Sequence, residues 1–115
     1  MTQKKSQSLL RIYLSSLDKE EDNKPLYESI VESAHAEGVA GATVLKSVFG
    51  YSPNEKEIAG KLAEKKKSSP IVIEIVDNYE IIIAFFEKIK SKFDNTNTNR
   101  GCLITIEHLD VLFYK

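Results

Sequence analysis

Alternating and β-branched apolar residues along the chain predict four strands. The segments concerned are short and are flanked by polar or glycine-containing turns. Runs of this kind are typical of strands that bury at least one face. The predicted strands cover residues 9–15, 43–49, 70–76 and a final two-part segment, 102–107 and 111–114, divided by a bulge or bend at residues 108–110.

Two other segments repeat apolar residues at the spacing of a helix. The first runs from Pro25, which suits a first helical turn, to Glu37, and Gly38 supplies the left-handed residue that ends it. The second follows Asp77 or Asn78, because either side chain can cap a helix N-terminus. Its apolar positions are Ile82, Ile83, Phe85, Phe86, Ile89 and Phe93.

The predicted order β-α-β-β-α-β is that of an α+β, ferredoxin-like sandwich, in which two helices cover one face of an antiparallel sheet. We therefore expect a single domain over residues 1–115, with a flexible tail at 1–8 and a long loop at 50–69 between the second and third strands. Apolar residues occupy both faces of the segment 71–76. Burial of the second sheet face by self-association explains this pattern most simply.

Composition narrows the classes of function. The chain has 42% hydrophobic and 29% charged residues and a net charge of -1, which favours a soluble globular protein and gives no indication of nucleic-acid binding. No apolar run reaches the roughly 18 residues of a membrane span, and the N-terminal lysines precede no signal-peptide core, so we expect a cytoplasmic protein without membrane insertion. Cys102 is the only cysteine, which excludes an internal disulfide, and its apolar surroundings predict a buried, inert thiol.

Residues 38–44 and 48–52 surround the second predicted strand and carry a family resemblance. With the segments 11–13, 24–28 and 70–77, they resemble PII-like signalling proteins, and in particular the uncharacterised PII-like family called domain of unknown function one-ninety. The resemblance extends from Leu10 to Tyr114. It implies a homotrimer whose sheets pack around a threefold axis, and a long loop that is similar to the T-loop of PII proteins.

In classical PII proteins a nucleotide lies between adjacent subunits, and the resemblance transfers this site to matching positions. The implied ligand-binding residues are Thr43, Gly50, Tyr51, Ser52, Arg100 and Gly101. A hydroxyl can bond a base edge, a glycine lets backbone donors approach phosphate, and a guanidinium suits phosphate or carboxylate. The segment 95–101 departs from the family pattern, because it has one glycine and one basic residue where classical PII proteins have several of each.

The resemblance implies a regulatory protein, not an enzyme, that binds a nucleotide or another anionic metabolite at subunit clefts and signals to a protein target through residues 50–69. The sequence identifies no cofactor. The alternative is a trimeric interaction module without a small-molecule ligand. A hydrolase or metal-dependent activity involving Glu107 and His108 is a third interpretation, although His35 and His108 have no neighbours at metal-ligand spacing, so we expect no metal site within one subunit.

Overall fold

The computed structural model describes residues 2–53, 69–94 and 102–114. The predicted ferredoxin-like order is confirmed. Its elements are β1 (Thr2–Ser15), α1 (Leu26–Ala36), β2 (Gly41–Lys46), β3 (Pro70–Asp77), α2 (Tyr79–Asp94) and β4 (Leu103–Tyr114). Residues 54–68 of the predicted long loop, and both Arg100 and Gly101, lie outside the described residues.

The strands form one antiparallel sheet in the order β2-β3-β1-β4. Alternate residues of each strand face the helices, as in the pairs Leu10–Ile75 and Ile12–Ile73 of β1 and β3. The buried core joins these residues to the apolar sides of α1 and α2. Its members are Leu10, Ile12, Leu14, Leu26, Ile30, Ala34, Ile71, Ile73, Ile75, Ile82, Phe85 and Ile89. The described residues include no helix with the length and apolarity to cross a membrane.

The end of α1 follows the glycine signal in the sequence. Gly38 has a φ of +77°, and its N–H donates to the carbonyl of His35 at 3.1 Å. Val39 N–H donates to the carbonyl of Ala34 at 3.0 Å, which completes a Schellman motif. The chain then turns directly into β2, so this glycine determines where the second strand enters the sheet.

The start of α2 is fixed by two adjacent polar side chains with different roles. Asn78 Oδ1 accepts a hydrogen bond from Ile81 N–H at 2.9 Å, so Asn78 is the residue that caps the helix. Asp77 Oδ2 instead accepts from Ala40 N–H at 3.0 Å. Asp77 therefore joins the end of β3 to the turn that precedes β2.

The structure corrects two predictions for β1 and β4. Residues 2–8, which we predicted to be a flexible tail, form the first half of β1 and pair with residues 108–114 of β4. The pairing of β1 with β4 continues without interruption through Ser8 and His108, so the predicted bulge or bend at 108–110 is absent from the described β4. At this pair, Ser8 Oγ lies 3.1 Å from His108 Nδ1. Both errors arise because polar residues resemble a tail or turn when their cross-strand partners are unknown.

The predicted second strand also has wrong bounds. β2 spans Gly41–Lys46 and not residues 43–49, and its last paired residue, Lys46, lies opposite Ile71. Ser47 N–H still donates to the carbonyl of Pro70 at 3.1 Å. Because Pro70 has no N–H to donate in return, the ladder cannot continue past this point.

Candidate functional site

The loop base, defined as residues 47–53 together with Ser69, connects β2 and β3 to the long loop. Both of its ends are attached to the sheet. Ser47 bonds to Pro70 as described above, while Ser16 and Ser69 exchange two hydrogen bonds of 2.9 Å, from Ser16 N to the Ser69 carbonyl and from Ser69 N to Ser16 Oγ. The long loop therefore begins and ends at fixed positions beside the end of β1.

Three of the predicted ligand-binding residues are consecutive in the loop base. Gly50 has a φ of +147°, and a Cβ atom there would meet no heavy atom within 4 Å. The requirement for glycine is therefore conformational and not steric. Tyr51 is 71% exposed, whereas the neighbouring Ser52 is only 4% exposed.

The loop base contains two buried hydroxyl groups that have no hydrogen-bond partner. These are Ser47 Oγ and Ser52 Oγ, considered against the residues that the structure describes. A buried unpaired hydroxyl is costly, so such groups in native proteins usually bond to water, an ion or a ligand. Ser52 was among the predicted site residues, but Ser47 was not. Its position was assigned to a strand, and only the early end of β2 brings its side chain into the loop base.

Thr43 is placed differently, on the sheet face that neither α1 nor α2 covers. It lies opposite Glu74 in β3, which in turn pairs with Arg11 in β1. Arg11 Nε lies 3.0 Å from Glu74 Oε2, and Arg11 Nη1 lies 2.9 Å from Glu107 Oε1. The hydrogen bond with Glu74 is the main cause that raises the pKa of Arg11 above its ordinary value, so the group remains a cation.

A row of apolar side chains lies beside these charges on the uncovered face. Leu45, Val72, Tyr13 and Leu103 are cross-strand neighbours in the four strands, and Leu45 and Leu103 are 46% and 53% exposed. Exposed apolar residues in a row across a sheet are typical of a surface that another protein surface covers. Thr43 therefore lies at the edge of a candidate subunit interface, and β2 connects it to the loop base.

Cys102 is partly buried, and His108 is an exposed residue beside a buried serine. Burial, with a smaller effect of the Asp18 charge, raises the pKa of Cys102 to about 12. The His108 ring contacts Ser8, which is only 1% exposed, and its centroid lies 5.4 Å from that of the Tyr79 ring. The part of the chain in the structure has no cluster of three or more residues suited to bind a metal.

The sequence of this chain matches the model of a protein family. The family model DUF190, described as uncharacterized ACR, matches residues 7–111. The chain is 36% identical over 105 residues to a UPF0166 protein of Aquifex aeolicus (strain VF5), which covers 91% of this chain and 92% of that protein.

Solved structures of PII-like proteins have a similar fold. The apo form of CPII, a nitrogen regulatory PII-like protein from Thiomonas intermedia K12, gives a TM-score of 0.60 at 17% identity, with 99% of this chain and 100% of that chain covered. CPII bound to ADP, AMP and bicarbonate gives a TM-score of 0.64 at 14% identity, with 95% and 91% covered. At these identities the likeness establishes the fold.

Proposed function

The chain belongs to the DUF190 family, an uncharacterised family with the PII-like fold, and we propose that it is a homotrimeric regulatory protein that binds a nucleotide or another small anion between its subunits. The observation that carries the proposal is the pair of buried, unpartnered hydroxyls of Ser47 and Ser52 in the loop base. A bound ligand or its water would satisfy both groups. CPII binds ADP, AMP and bicarbonate in its solved structure, and these ligands indicate the class to test first.

The surroundings of these hydroxyls suit a nucleotide. Phe49 and Tyr51 are 63% and 71% exposed, and aromatic rings of this kind can stack on a purine base. Gly50 lies between them, and the open space at its Cβ position leaves room for a phosphate or bicarbonate oxygen to approach the backbone. Arg100 and Gly101, which the family resemblance adds to the site, remain proposed ligand contacts outside the described residues.

Assembly of subunits through the uncovered sheet face would create the clefts. Burial of the row formed by Leu45, Val72, Tyr13 and Leu103 would remove apolar surface from water, which is the main favourable term in association. Thr43 on the same face would then lie at the seam between two subunits. The loop base of one subunit would face the neighbouring subunit across that seam.

Signalling would follow from a shift between loop conformations. A ligand that contacts the loop base favours the conformations of residues 50–69 with which it makes better contacts, and a protein target would recognise those conformations. The size of the response is limited by the ligand's preference between the conformations. This mechanism requires no catalytic residue.

Calorimetry with ADP, AMP and bicarbonate, separately and together, tests the proposed function. We expect binding by the wild-type protein, and a loss of about tenfold or more in affinity when Ser52→Ala removes one hydroxyl. Ser91→Ala, an exposed serine on α2, is the matched control and should leave the affinity unchanged. Absence of binding by the wild-type protein at millimolar ligand would contradict the proposal.

A second candidate, an interaction module without a small ligand, is favoured by one feature of the loop base. Val48, Phe49 and Tyr51 are 87%, 63% and 71% exposed, and a cluster of exposed large side chains also suits a protein partner. Capture of a target by the ligand-free protein, lost in Phe49→Ala and unaffected by added nucleotide, would support this candidate. Capture that depends on nucleotide would support the regulatory proposal.

A further inference from the structure

A two-stranded ribbon extends beyond the part of the sheet that the helices cover. It consists of residues 2–7 of β1 and residues 109–114 of β4. β3 pairs with β1 only from Ser8 onward, so in the described part of the chain residues 2–7 have a strand on one side only. An isolated two-stranded ribbon is at best marginally stable in water. The free edge of residues 2–7 is therefore a place where another strand can add hydrogen bonds.

One face of the ribbon combines a cation with an aromatic ring. Lys5 Nζ lies 5.3 Å from the centre of the Phe113 ring, and Phe113 is 44% exposed. Lys4 differs, because its side chain alternates to the other face and its Nζ lies 3.4 Å from Asp110 Oδ2. The face with Lys5 and Phe113 thus presents apolar surface and a positive charge that no carboxylate neutralises among the described residues.

A groove of complementary character lies between α1 and β2. It has a volume of about 210 Å³, its apolar surface comes from Tyr27, Val31 and Val44, and Glu28 and Glu32 supply negative charge. Glu32 already pairs with Lys24, whereas Glu28 has no ion-pair partner in the described part of the chain. This acidic charge disfavours an anionic ligand in the groove. It suits a cationic and apolar occupant.

The groove borders a second free strand edge. β2 is an outer strand of the sheet, and its six residues, Gly41–Lys46, pair only with β3 in the described structure. The free segment of β1 has the same length. Within one subunit β3 separates β1 from β2, and the ribbon lies beyond the end of β3, so a subunit's ribbon does not lie along its own groove.

We propose that the ribbon of one subunit docks on a second copy of this chain, where residues 2–7 pair with the free edge of β2. Phe113 then packs into the groove beside Tyr27 and Val31, and Lys5 faces Glu28. The contact rests on the proposed assembly of subunits and specifies how they hold one another. It also places the ribbon next to β2, which leads into the loop base. The ribbon then contacts the edge of β2, and the ligand contacts the residues that follow β2.

Subunit exchange measures this contact directly. Native mass spectrometry follows the mixing of ¹⁵N-labelled and unlabelled protein for the wild type, Lys5→Glu, Glu28→Lys and the double variant. We expect each single variant to exchange about tenfold faster, because like charges then oppose each other across the contact. The double variant restores the attraction with the two charges exchanged, so its rate of subunit exchange should return to within about threefold of the wild-type rate.

Lys4→Gln is the matched control, since Lys4 lies on the same ribbon but faces away from the groove and pairs with Asp110. Its exchange rate should stay within about threefold of wild type. Single variants with unchanged exchange, or a double variant as fast as either single variant, would overturn the docking proposal. An oligomer that is insensitive to these changes would still permit the proposed function, whereas a wild-type protein that is only monomeric would contradict both.

Carbodiimide cross-linking gives an independent readout that does not depend on substitution. The reagent joins an amine to a carboxylate in direct contact, and mixed isotope labels identify links between different copies. We expect a link from Lys5 to Glu28 that joins labelled and unlabelled chains. Links of Lys5 only to carboxylates of its own chain would overturn the proposal.

Discussion

Arg11 Nε lies 3.0 Å from Glu74 Oε2 at the middle of the uncovered sheet face. The same guanidinium also forms an ion pair with Glu107 through Nη1, so one cation pairs with two carboxylates. A face that is to be covered by another subunit must keep its charges paired, because an unpaired charge is costly once water is removed. The pairing therefore lets a surface with three charged groups act as an interface.

Replacement of Arg11 by leucine should weaken subunit association more than it weakens the fold. Glu74 and Glu107 would then face each other without a cation in the assembled state, whereas water would solvate them in a separate subunit. Sedimentation across a concentration series measures this change, and Lys90→Leu, which removes an exposed pair with Glu87 on α2, is the control. Equal association of Arg11→Leu and wild type would show that the uncovered face is not the interface.

Two glycines provide a matched test of the turn between α1 and β2. Gly38→Ala should lower the free energy of unfolding by about 1–2 kcal/mol, because alanine is strained at a φ of +77°. Gly41→Ala should cost about 0.5 kcal/mol or less, because Gly41 has extended backbone within β2 and open space at its Cβ. Urea denaturation compares the two variants. Equal losses would mean that the left-handed turn does not determine the helix end.

The parts of the fold that can be predicted from sequence are those that depend on residues close together in the chain. Gly38 and Asn78 act within a few residues of their own position, so the helix ends that they fix were predicted correctly. The end of β2 depends on Pro70, which lies across the sheet and far along the chain. Pairing of residues 2–7 depends on β4 in the same way, and local polarity suggested a tail.

The candidate site was only partly predictable for the same physical reason. The resemblance to PII-like proteins predicts Gly50, Tyr51 and Ser52 as ligand contacts, and these three residues are neighbours in the loop base because they are neighbours in sequence. It did not identify Ser47, because burial of a hydroxyl without a partner depends on the packing around it. Thr43 lies on the uncovered face, where a second subunit in the proposed assembly would bring further ligand contacts to it.

Removal of an unpaired hydroxyl should stabilise the ligand-free protein while it weakens the site. Ser52→Ala eliminates a buried polar group that bonds to nothing in the described structure, so the free energy of unfolding should rise by about 1 kcal/mol. Ser8→Ala is the contrasting control, because Ser8 Oγ forms a hydrogen bond with His108. Loss of this hydrogen bond should lower the free energy of unfolding. Thermal unfolding without ligand measures both changes. A destabilised Ser52→Ala protein would show that the hydroxyl has a partner within the chain.

The Cys102 thiol predicts a pH dependence of stability in alkaline solution. Burial raises its pKa from the ordinary value of 9.0 to about 12 in the folded protein. The unfolded chain therefore releases the thiol proton first, and the contribution of Cys102 to stability is complete below pH 9 and is lost as the pH rises toward 12. The difference between wild type and Cys102→Ala in urea denaturation, followed from pH 8 upward, isolates this thiol from the lysines. A difference that does not change with pH would contradict the raised pKa.

Native mass spectrometry of the full chain, with and without ADP, AMP and bicarbonate, tests the central claim most directly. A ligand site formed between subunits predicts a three-subunit mass that gains whole nucleotide masses when ligand is added, and it predicts that monomers released at low concentration gain none. The account would be contradicted if the protein gave only the monomer mass at working concentration, or if monomers bound nucleotide as well as the oligomer does.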